Sequence, residues 1–356
     1  MLRTHDCFRF PYSRLIARVD LLTLRRFRRL SAWRWPKGLR VICSALPLLR
    51  VLDCMFMRLV FIALLVSLRS YAQPAVDHHQ HLLRSAVTPP KGFALTADEL
   101  IAQMDEAGIR RAVILSIAYQ FGNPSRPPID NEHALVKAEN DWSREQAALY
   151  PERLTAICAV NPLKEYALAE VERCAKDPGL RRALKLHFGN SDVDLDDSTH
   201  VAQLQRVFRE ANRHRMAIVV HMRSNTKRTW GAGQARAFLQ ELLPAAPNVP
   251  VQIAHLAGAG GYEDPGIDAA IGVFADAIAA KDKRIKRVYF EVSGVFLEQW
   301  ESKVDLIAKR LRTIGLDRIL YGSDGPPLPN WRAFRKLPLS EEEFRKIERN
   351  IAPYLK

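Results

Sequence analysis

Apolar and polar residues follow two alternating patterns along residues 75–355. Short apolar runs rich in Val, Ile and Leu predict buried β-strands. These runs lie near residues 75–80, 111–117, 153–160, 182–187, 216–221, 250–255, 286–293 and 317–322. The stretches between them predict helices at 97–107, 131–149, 165–176, 199–214, 233–243, 267–280, 297–313 and 341–355. Eight strand–helix pairs in strict alternation indicate a parallel sheet.

Signals at the helix ends support these boundaries. Residues 96–99 (Thr-Ala-Asp-Glu) and 340–343 (Ser-Glu-Glu-Glu) are capping boxes, whose first and fourth residues satisfy free amides of a first helical turn. Gly108 and Gly315 stand where a helix should end, a position that glycine favours. No repeat or linker divides residues 73–356, which we therefore predict to form one domain.

Four predicted strands end in histidine or aspartate, residue types that commonly bind metal ions. The first carries His79 and His81, which share one face because strand side chains alternate with period two. His221 and His255 end the fifth and sixth strands, and Asp324 ends the eighth. Imidazole nitrogens with one carboxylate suit Zn²⁺ or a similar divalent ion. We therefore predict one divalent metal ion, with Zn²⁺ expected and a second ion as the alternative.

The placement of these residues selects among parallel-sheet folds. In a closed barrel the carboxyl ends of all strands meet at one mouth, where active sites lie. An open doubly wound sheet is the alternative, but no Gly-rich phosphate turn follows the first strand. We predict an α/β fold, a (β/α)8 TIM barrel with the metal site at the C-terminal mouth of the strands.

Charge is concentrated at the start of the chain. The formal net charge is +14, which by itself would suggest a nucleic-acid or membrane-surface partner. Residues 1–56 hold 11 Arg and 1 Lys against 3 Asp, and Arg58 and Arg69 add two more positive charges. The balance from Gln73 onward is only +3. The predicted barrel is therefore unexceptional in charge, and we expect no nucleic-acid partner for it.

Residues 57–72 have the pattern of a secretory signal peptide. Met57 and Arg58 precede an apolar run at 59–68, and Ser70 and Ala72 offer small residues before a cleavage site at Gln73. The run is shorter than the roughly 20 residues of a membrane span. We interpret residues 1–56 as a disordered, mis-called upstream extension, with the true start at Met57 or Met55. The expected location is periplasmic or secreted, with no membrane anchor after cleavage. An Arg-rich transit peptide or a nucleic-acid-binding arm is the competing interpretation.

Cysteine usage is sparse. Only Cys158 and Cys174 lie beyond the leader, one in a predicted strand and one in a predicted helix. This pair makes neither a disulfide framework nor a zinc knuckle. We predict that both are small buried hydrophobic residues.

Five motifs together resemble the amidohydrolase superfamily. They are residues 77–81 (Asp-His-His-Gln-His), 184–187 (Leu-Lys-Leu-His), 220–221 (Val-His), 254–261 (Ala-His-Leu-Ala-Gly-Ala-Gly-Gly) and 321–324 (Tyr-Gly-Ser-Asp). The chain is most similar to the amidohydrolase-related branch, which contains metal-dependent hydrolases and nonoxidative decarboxylases. The resemblance covers about residues 75–355 and implies a superfamily, not a substrate.

The resemblance implies roles for the strand-end residues. His79, His81 and His221 would be metal ligands, and Asp324 would be both a ligand and the general base. His255 would be a further ligand, or a hydrogen-bond donor that polarises the substrate carbonyl.

Three more residues are candidates for substrate binding. In some members of the superfamily the lysine at the position of Lys185 is carbamylated and bridges two metals. Here Lys185 is predicted to position substrate, with a core ion pair as the alternative. His187 shares its face of the strand. Arg223 follows His221 by two residues and could bind a substrate carboxylate through two hydrogen bonds; a surface loop position is the alternative.

We predict a metal-dependent hydrolase of the amidohydrolase type. Metal-bound hydroxide would attack a carboxylic ester, lactone or amide. The alternative within enzymes is a metal-dependent nonoxidative decarboxylase, a lyase acting on an unsaturated or aromatic acid. A non-enzymatic basic protein that binds nucleic acid is the alternative from another class. The expected partner is a small-molecule substrate, and a homo-oligomer is possible.

Overall fold

The computed structural model describes residues 74–84, 94–225, 229–262, 264–297 and 299–356. The predicted extension and signal peptide lie outside these residues. The described chain contains eight parallel strands arranged in sequence order, each overlapping one predicted strand. The strands are β1 (Asp77–Gln80), β2 (Ala112–Leu115), β3 (Leu154–Ala159), β4 (Ala183–His187), β5 (Ala217–His221), β6 (Val251–Ile253), β7 (Val288–Glu291) and β8 (Ile319–Leu320).

The first and last strands meet and close the sheet. The amide of His78 donates to the carbonyl of Tyr321 at 2.9 Å, and the amide of Asp324 donates to the carbonyl of His79 at 2.8 Å. These bonds join β1 to the segment that follows β8, so all eight carboxyl ends surround one mouth. The predicted (β/α)8 barrel is confirmed.

Helices alternate with the strands on the outside of the barrel. The described helices are α1 (Ala97–Ala107), α2 (Glu132–Ala148), α3 (Ala167–Lys176), α4 (Ser198–Arg213), α5 (Ala232–Ala237), α6 (Pro265–Ala279), α7 (Val304–Ile314), α8 (Pro327–Phe334) and α9 (Glu341–Arg349). A π-helical turn, Phe238–Leu242, continues α5. Both predicted capping boxes are present. Within the described residues, no helix is long and apolar enough to span a membrane.

The sequence missed one helix and lengthened another. Helix α8 starts at Pro327, three residues after Asp324, and the fixed φ of proline suits a first helical turn. The last helix was predicted to reach residue 355 but ends at Arg349. Asn350 leaves the helix and donates to the carbonyls of Leu316 and Ile319, and Pro353 begins a separate 3₁₀ turn.

The core has an inner and an outer layer, and a strand such as β2 contributes to both. Val113 and Leu115 belong to the inner cluster, whereas Ala112 and Ile114 belong to the outer cluster together with helix residues such as Leu100. This period-two division is what strands covered on both faces require. It also explains why the strands read as continuous apolar runs in the sequence.

The prediction for the two cysteines was wrong. Cys158 of β3 and Cys174 of α3 form a disulfide, with their Cα atoms 6.1 Å apart. Both side chains are buried, as predicted, but they are bonded to each other. Helix α3 packs across the strand that precedes it, and this packing brings two residues 16 positions apart within bonding distance.

Candidate metal centre

His79 and His81 on β1 bring two imidazole nitrogens close together. The Nε2 atoms of the two rings are 3.2 Å apart. Asp324 completes the group, because its Oδ1 lies 3.5 Å from Nε2 of His81 and 3.8 Å from Nε2 of His79. The three side chains therefore offer two nitrogens and one carboxylate to a common point at the barrel mouth.

The other nitrogen of each ring has a partner that fixes the tautomer. Nδ1 of His79 lies 2.6 Å from Oε2 of Glu291, and Nδ1 of His81 lies 2.6 Å from the carbonyl oxygen of Leu115. A carbonyl or carboxylate oxygen accepts, so each Nδ1 carries the proton and donates it. The Nε2 of each neutral ring is then left with an unshared lone pair, the form that ligates metal ions.

His255 adds a third nitrogen in the same way. Its Nδ1 donates to the carbonyl oxygen of Ser293 at 2.7 Å, and its Nε2 lies 3.8 Å from Oδ2 of Asp324. In its neutral form His255 therefore presents a lone pair to the centre. Both roles for His255, metal ligand and hydrogen-bond donor, stay predictions.

This donor set fits a divalent ion. Lone pairs on two nitrogens only 3.2 Å apart repel unless a cation lies beside them; Nζ of Lys185 lies 3.4 Å from Nε2 of His79, and a divalent ion bound by both rings would remove the repulsion more completely. Burial lowers the pKa of His79 well below its ordinary value, and Lys185 adds to the effect. Burial would raise the pKa of Asp324, but attraction to the neighbouring histidines and Lys185 holds it below its ordinary value. Neutral imidazoles and an ionised carboxylate are the protonation states that bind metal.

Unusual backbone geometry aims the ligands into the mouth. His255 and Asp324 have φ values of 57° and 48°, in the left-handed region that non-glycine residues rarely adopt. Gly322 follows β8 and lies against residues of both neighbouring strands, Glu291 of β7 and His79 of β1. A Cβ at this position would lie 2.8 Å from Cδ of Glu291 and 2.9 Å from Cβ of His79, so glycine is needed for this close approach. Strain of this kind persists where the surrounding structure enforces it, commonly at functional sites.

Asp77 holds the two sides of the mouth together. Its buried carboxylate accepts from the amides of His79 at 3.1 Å and Ser323 at 3.0 Å, and from Nε2 of Gln80 at 3.0 Å. The Ser323 hydroxyl also donates to it. Burial raises the pKa of Asp77 to about 6, although these hydrogen bonds oppose the rise. Asp77 therefore fixes the backbone of His79 and the side chain of its neighbour Gln80, and also Ser323, which precedes Asp324.

His187 and His221 lie side by side at the end of neighbouring strands. Their rings stack with centroids 3.8 Å apart, and His221 stands edge-on to His255 with centroids 4.8 Å apart. Nδ1 of His187 accepts from the amide of Asn190 at 3.1 Å, so the neutral ring carries its proton on Nε2. His187 is thus a hydrogen-bond donor, unlike the three histidines of the metal centre.

The predicted ligand role of His221 stays a prediction. Among the described residues, the groups of potential ligands at the mouth with atoms within 4.8 Å of one another are His79 with His81 and Asp324, and His79 with His255 and Glu291. His221 is in neither group, although it lines the same cavity.

Lys185 lies beside the metal centre, and Arg223 does not. Nζ of Lys185 is 3.4 Å from Nε2 of His79, and burial lowers the pKa of Lys185 to about 8 against the opposing effect of Asp324. Arg223 donates to Asp264 at 2.8 Å and lies over the Trp230 ring at 5.6 Å. It is absent from the described residues that line the cavity, so the structure does not place it with the other predicted site residues.

A cavity of about 490 Å³ opens above the metal centre. Its described lining consists of His79, Gln80, His81, Leu83, Leu95, Gln103, Ile117, Tyr119, Gln120, Arg126, Lys185, His187, Asn190, His221, His255, Ala259, Asp324, Gly325 and Pro326. This volume is within the range typical of small-molecule sites.

Comparison with known proteins decides the family. A family model described as amidohydrolase matches residues 76–350. The chain belongs to the amidohydrolase superfamily. The resemblance inferred from the five motifs is therefore confirmed, and the protein is an enzyme of this superfamily. No curated protein sequence matches the chain significantly.

Solved structures share the fold of this amidohydrolase-superfamily enzyme. A 2,6-dihydroxybenzoate decarboxylase from Rhizobium is 17% identical with a TM-score of 0.56, over 78% of this chain and 96% of that chain. A 5-carboxyvanillate decarboxylase from Novosphingobium aromaticivorans, complexed with manganese, is 16% identical with a TM-score of 0.54, over 79% and 95%. A probable 2-pyrone-4,6-dicarboxylic acid hydrolase from Acinetobacter baumannii is 17% identical with a TM-score of 0.50, over 77% and 96%. At these identities the likeness shows the fold alone.

Sequence reasoning missed Glu291 and Arg126 of this superfamily member's site. Glu291 is the last residue of β7, and its carboxylate orients His79. The predicted strand ran to residue 293, so Glu291 was not recognised as a residue at the carboxyl end of a strand. Tyr119 and Arg126 line the cavity from the segment after β2. No motif marks Arg126, because a loop residue reaches a site through tertiary folding that periodicity does not encode.

Proposed function

We propose that the protein is a metal-dependent hydrolase that cleaves a carboxylic ester, lactone or amide. One observation carries the proposal: three histidines, each with Nδ1 engaged, present Nε2 around the Asp324 carboxylate at the floor of a cavity. Preorganised ligands with oriented outer partners are typical of catalytic metal sites.

The ligands fit one divalent ion. His79, His81 and Asp324 would hold it, with His255 beside them, and His221 remains the further candidate. Nitrogen donors with a single carboxylate favour Zn²⁺, although the manganese in the 5-carboxyvanillate decarboxylase structure makes Mn²⁺ the ion to test beside it. When bound, such an ion supplies Lewis acidity and lowers the pKa of a coordinated water.

The protein's own residues would move the proton. Asp324 is 30% exposed to the cavity and ionised, so it can take a proton from the attacking water and return it to the leaving group. His187 can donate a hydrogen bond from Nε2 to a substrate oxygen. Lys185 places a positive charge next to the ligands and favours a substrate that develops negative charge.

Nonoxidative decarboxylation is the second candidate. Two cations, Lys185 and Arg126, line the cavity, and both would favour an acid as substrate. Two of the structures described above are decarboxylases. Decarboxylation requires a group that protonates carbon, whereas a carboxylate that ligates a metal ion is ionised and would begin the reaction without a proton to give. We therefore place hydrolysis first.

A single set of assays separates the two reactions. Protein stripped with a chelator is reloaded with Zn²⁺ or Mn²⁺ and tested on esters, lactones, amides and hydroxybenzoic acids. Acid release and CO₂ release are measured separately. We expect metal-dependent acid release without CO₂. Release of CO₂ would favour the second candidate, and protein that binds no metal at this site would contradict both.

We also propose that the protein is exported from the cytoplasm. The Cys158–Cys174 disulfide supports this, because stable disulfides are typical of oxidising compartments. The predicted signal peptide points the same way. N-terminal sequencing of the natural protein tests the idea: the first residue should be Gln73, and a chain that begins at Met1 would contradict it.

A further inference from the structure

Arg126 is a cation that lines the cavity above the candidate metal centre. It is the single arginine among the described residues that line the cavity. Within the part of the chain that the structure describes, its guanidinium makes no ion pair and donates no hydrogen bond. Other arginines of the described residues are paired with carboxylates, as Arg223 is with Asp264 and Arg310 is with Asp268. An unpaired arginine that faces a substrate cavity is therefore a candidate for ligand binding.

The loop that carries Arg126 is built to hold it in place. The side chain of Asn161 donates to the carbonyl of Gly122 at 2.6 Å and anchors the base of the loop. The amide of Arg126 donates to the carbonyl of Asn123 at 3.0 Å, and the side chain of Asn123 accepts from the amide of Ser125 at 2.9 Å. Two prolines follow Arg126 and restrict the backbone further. The arginine is thus presented by a preorganised turn.

Tyr119 lines the same cavity as Arg126 and the metal centre. Its ring packs against His187 with centroids 4.9 Å apart, and its side chain is buried. Burial raises the pKa of Tyr119, Asp324 adds to the rise, and Arg126 opposes it. The phenol is therefore near enough to both charges to be affected by each, and Tyr119, Arg126 and Asp324 all line one cavity.

The described lining of the cavity has few charged side chains. Asp324 is the only carboxylate in it, and Asp324 belongs to the metal centre. Besides the histidines, Lys185, Tyr119 and Arg126 itself, the remaining polar side chains of this lining are the neutral amides of Gln80, Gln103, Gln120 and Asn190. Nothing in the described lining neutralises Arg126, while the amides can donate further hydrogen bonds to an anion.

We propose that Arg126 binds a carboxylate at the end of the substrate remote from the metal centre. The substrate is then an organic acid whose carboxylate is separate from the bond that is cleaved. The inference rests on the proposed function and narrows its substrate class. A carboxylate fits better than a phosphate, because one guanidinium matches two carboxylate oxygens in charge and geometry. A dianionic phosphate would need more positive charge, and Lys185 is placed at the metal centre instead.

Paired small acids test the proposal on the full-length, metal-loaded protein. Isothermal titration at pH 7.5 compares benzoate with isophthalate and terephthalate, and butyrate with glutarate. We expect at least one dicarboxylate to bind about 10-fold more tightly than its monocarboxylate, the order expected for a charge-assisted pair of hydrogen bonds. Arg126→Gln should remove this preference and leave monocarboxylate affinity within about 2-fold. Arg126→Lys keeps the charge without the planar fork and should retain part of the preference.

A matched control removes an arginine from the outside of the barrel. Arg206 on α4 is exposed, so Arg206→Gln should change neither affinity. Metal content and thermal stability are measured for every variant, so that a misfolded protein is recognised. Two results would overturn the proposal: a wild-type protein that prefers none of the dicarboxylates, or an Arg126→Gln protein that keeps the preference.

The titrations test the role of Arg126 separately from the assays that test hydrolysis. A protein with an Arg126-dependent preference but no metal-dependent acid release would contradict hydrolysis and leave the carboxylate contact standing. An active hydrolase that shows no such preference would contradict the role of Arg126 alone.

Discussion

Nδ1 of His79 donates a hydrogen bond of 2.6 Å to the carboxylate of Glu291, and both side chains are almost completely shielded from solvent. The bond joins β1 to β7 across the barrel mouth. It fixes the ring of His79 so that Nε2 lies toward Asp324. Glu291 orients His79, a proposed metal ligand. We therefore expect a change at Glu291 to lower metal affinity before it lowers the stability of the fold.

Substitutions at Glu291 should weaken metal binding in a graded way. Glu291→Gln keeps an oxygen that can accept from His79, whereas Glu291→Leu removes the acceptor and leaves Nδ1 unpaired. We expect metal affinity to fall by about 10-fold for Gln and by up to about 100-fold for Leu. Competition with a chromophoric chelator measures both constants. Wild-type affinity in the Leu variant would mean that the ring is oriented by other contacts, with Ser293 the first to examine.

Substitutions at Asp324 and His79 should have different effects on metal content and on turnover. Asp324→Asn keeps the shape and one oxygen ligand but loses the basic carboxylate. We expect a modest fall in metal content and a fall in kcat of about 100-fold or more, the order for a lost general base. His79→Ala removes a ligand and should strip the metal itself. Metal analysis beside steady-state kinetics separates binding from chemistry.

A fully metallated Asp324→Asn protein with near wild-type turnover would make Asp324 a structural ligand only. The proton transfer would then belong to another group near the cavity floor, and His255 and Lys185 would be tested next. Both are close enough, since Nε2 of His255 lies 3.8 Å from Asp324 and Nζ of Lys185 lies 3.4 Å from His79.

The sequence located most of the site because the site follows strand periodicity. His79, His81, His255 and Asp324 all lie at carboxyl ends of strands, and a closed parallel barrel brings such ends together. The alternation of inward and outward residues on β1 also predicted that the first two would share a face. These are local rules, and one chain is enough to apply them.

Contacts between loops and between distant elements could not be read in this way. Arg223 follows the same spacing rule as its neighbours, but the chain turns after β5 and pairs it with Asp264. Arg126 lies on a loop without periodicity and reaches the cavity through folding of the β2–α2 segment. The disulfide was missed because two cysteines alone do not indicate which helix packs against which strand.

Removing the disulfide should destabilise the fold without changing the site. The bond closes a loop of 16 residues between β3 and α3, for which the entropic model expects roughly 3 kcal/mol of stability. Urea unfolding of the Cys158→Ala/Cys174→Ala double variant should show a loss of this order. Reductant should destabilise the wild type and leave the double variant unchanged. If both thiols of unreduced, unfolded protein can be alkylated, the disulfide does not form.

Glu139 should make stability depend on pH in an unusual direction. Its carboxyl on α2 is fully shielded, and within the described residues neither oxygen accepts a hydrogen bond; Nη1 of Arg84 is 3.8 Å away. Burial raises the pKa of Glu139 from 4.5 to about 7, against the opposing charge of Arg84. A group with a raised pKa in the folded state stabilises the fold below its unfolded pKa, and this contribution is lost as pH rises through the folded value.

Glu139→Gln should therefore be neutral at pH 5 and stabilising at pH 8, by an amount on the order of 1–3 kcal/mol. At pH 5 the native carboxyl is mostly protonated and resembles the amide, whereas at pH 8 the wild type carries a buried charge that the variant lacks. Urea unfolding at the two pH values measures the difference in free energy of unfolding between the variant and the wild type. Titration of the metal centre does not contribute to this difference, because both proteins contain the same metal centre. Glu145→Gln on the same helix is the control, since that side chain is 63% exposed and should change stability little at either pH. Equal effects of Glu139→Gln at pH 5 and pH 8 would show that Glu139 is ionised in the folded protein throughout this range, with Arg84 compensating for its burial.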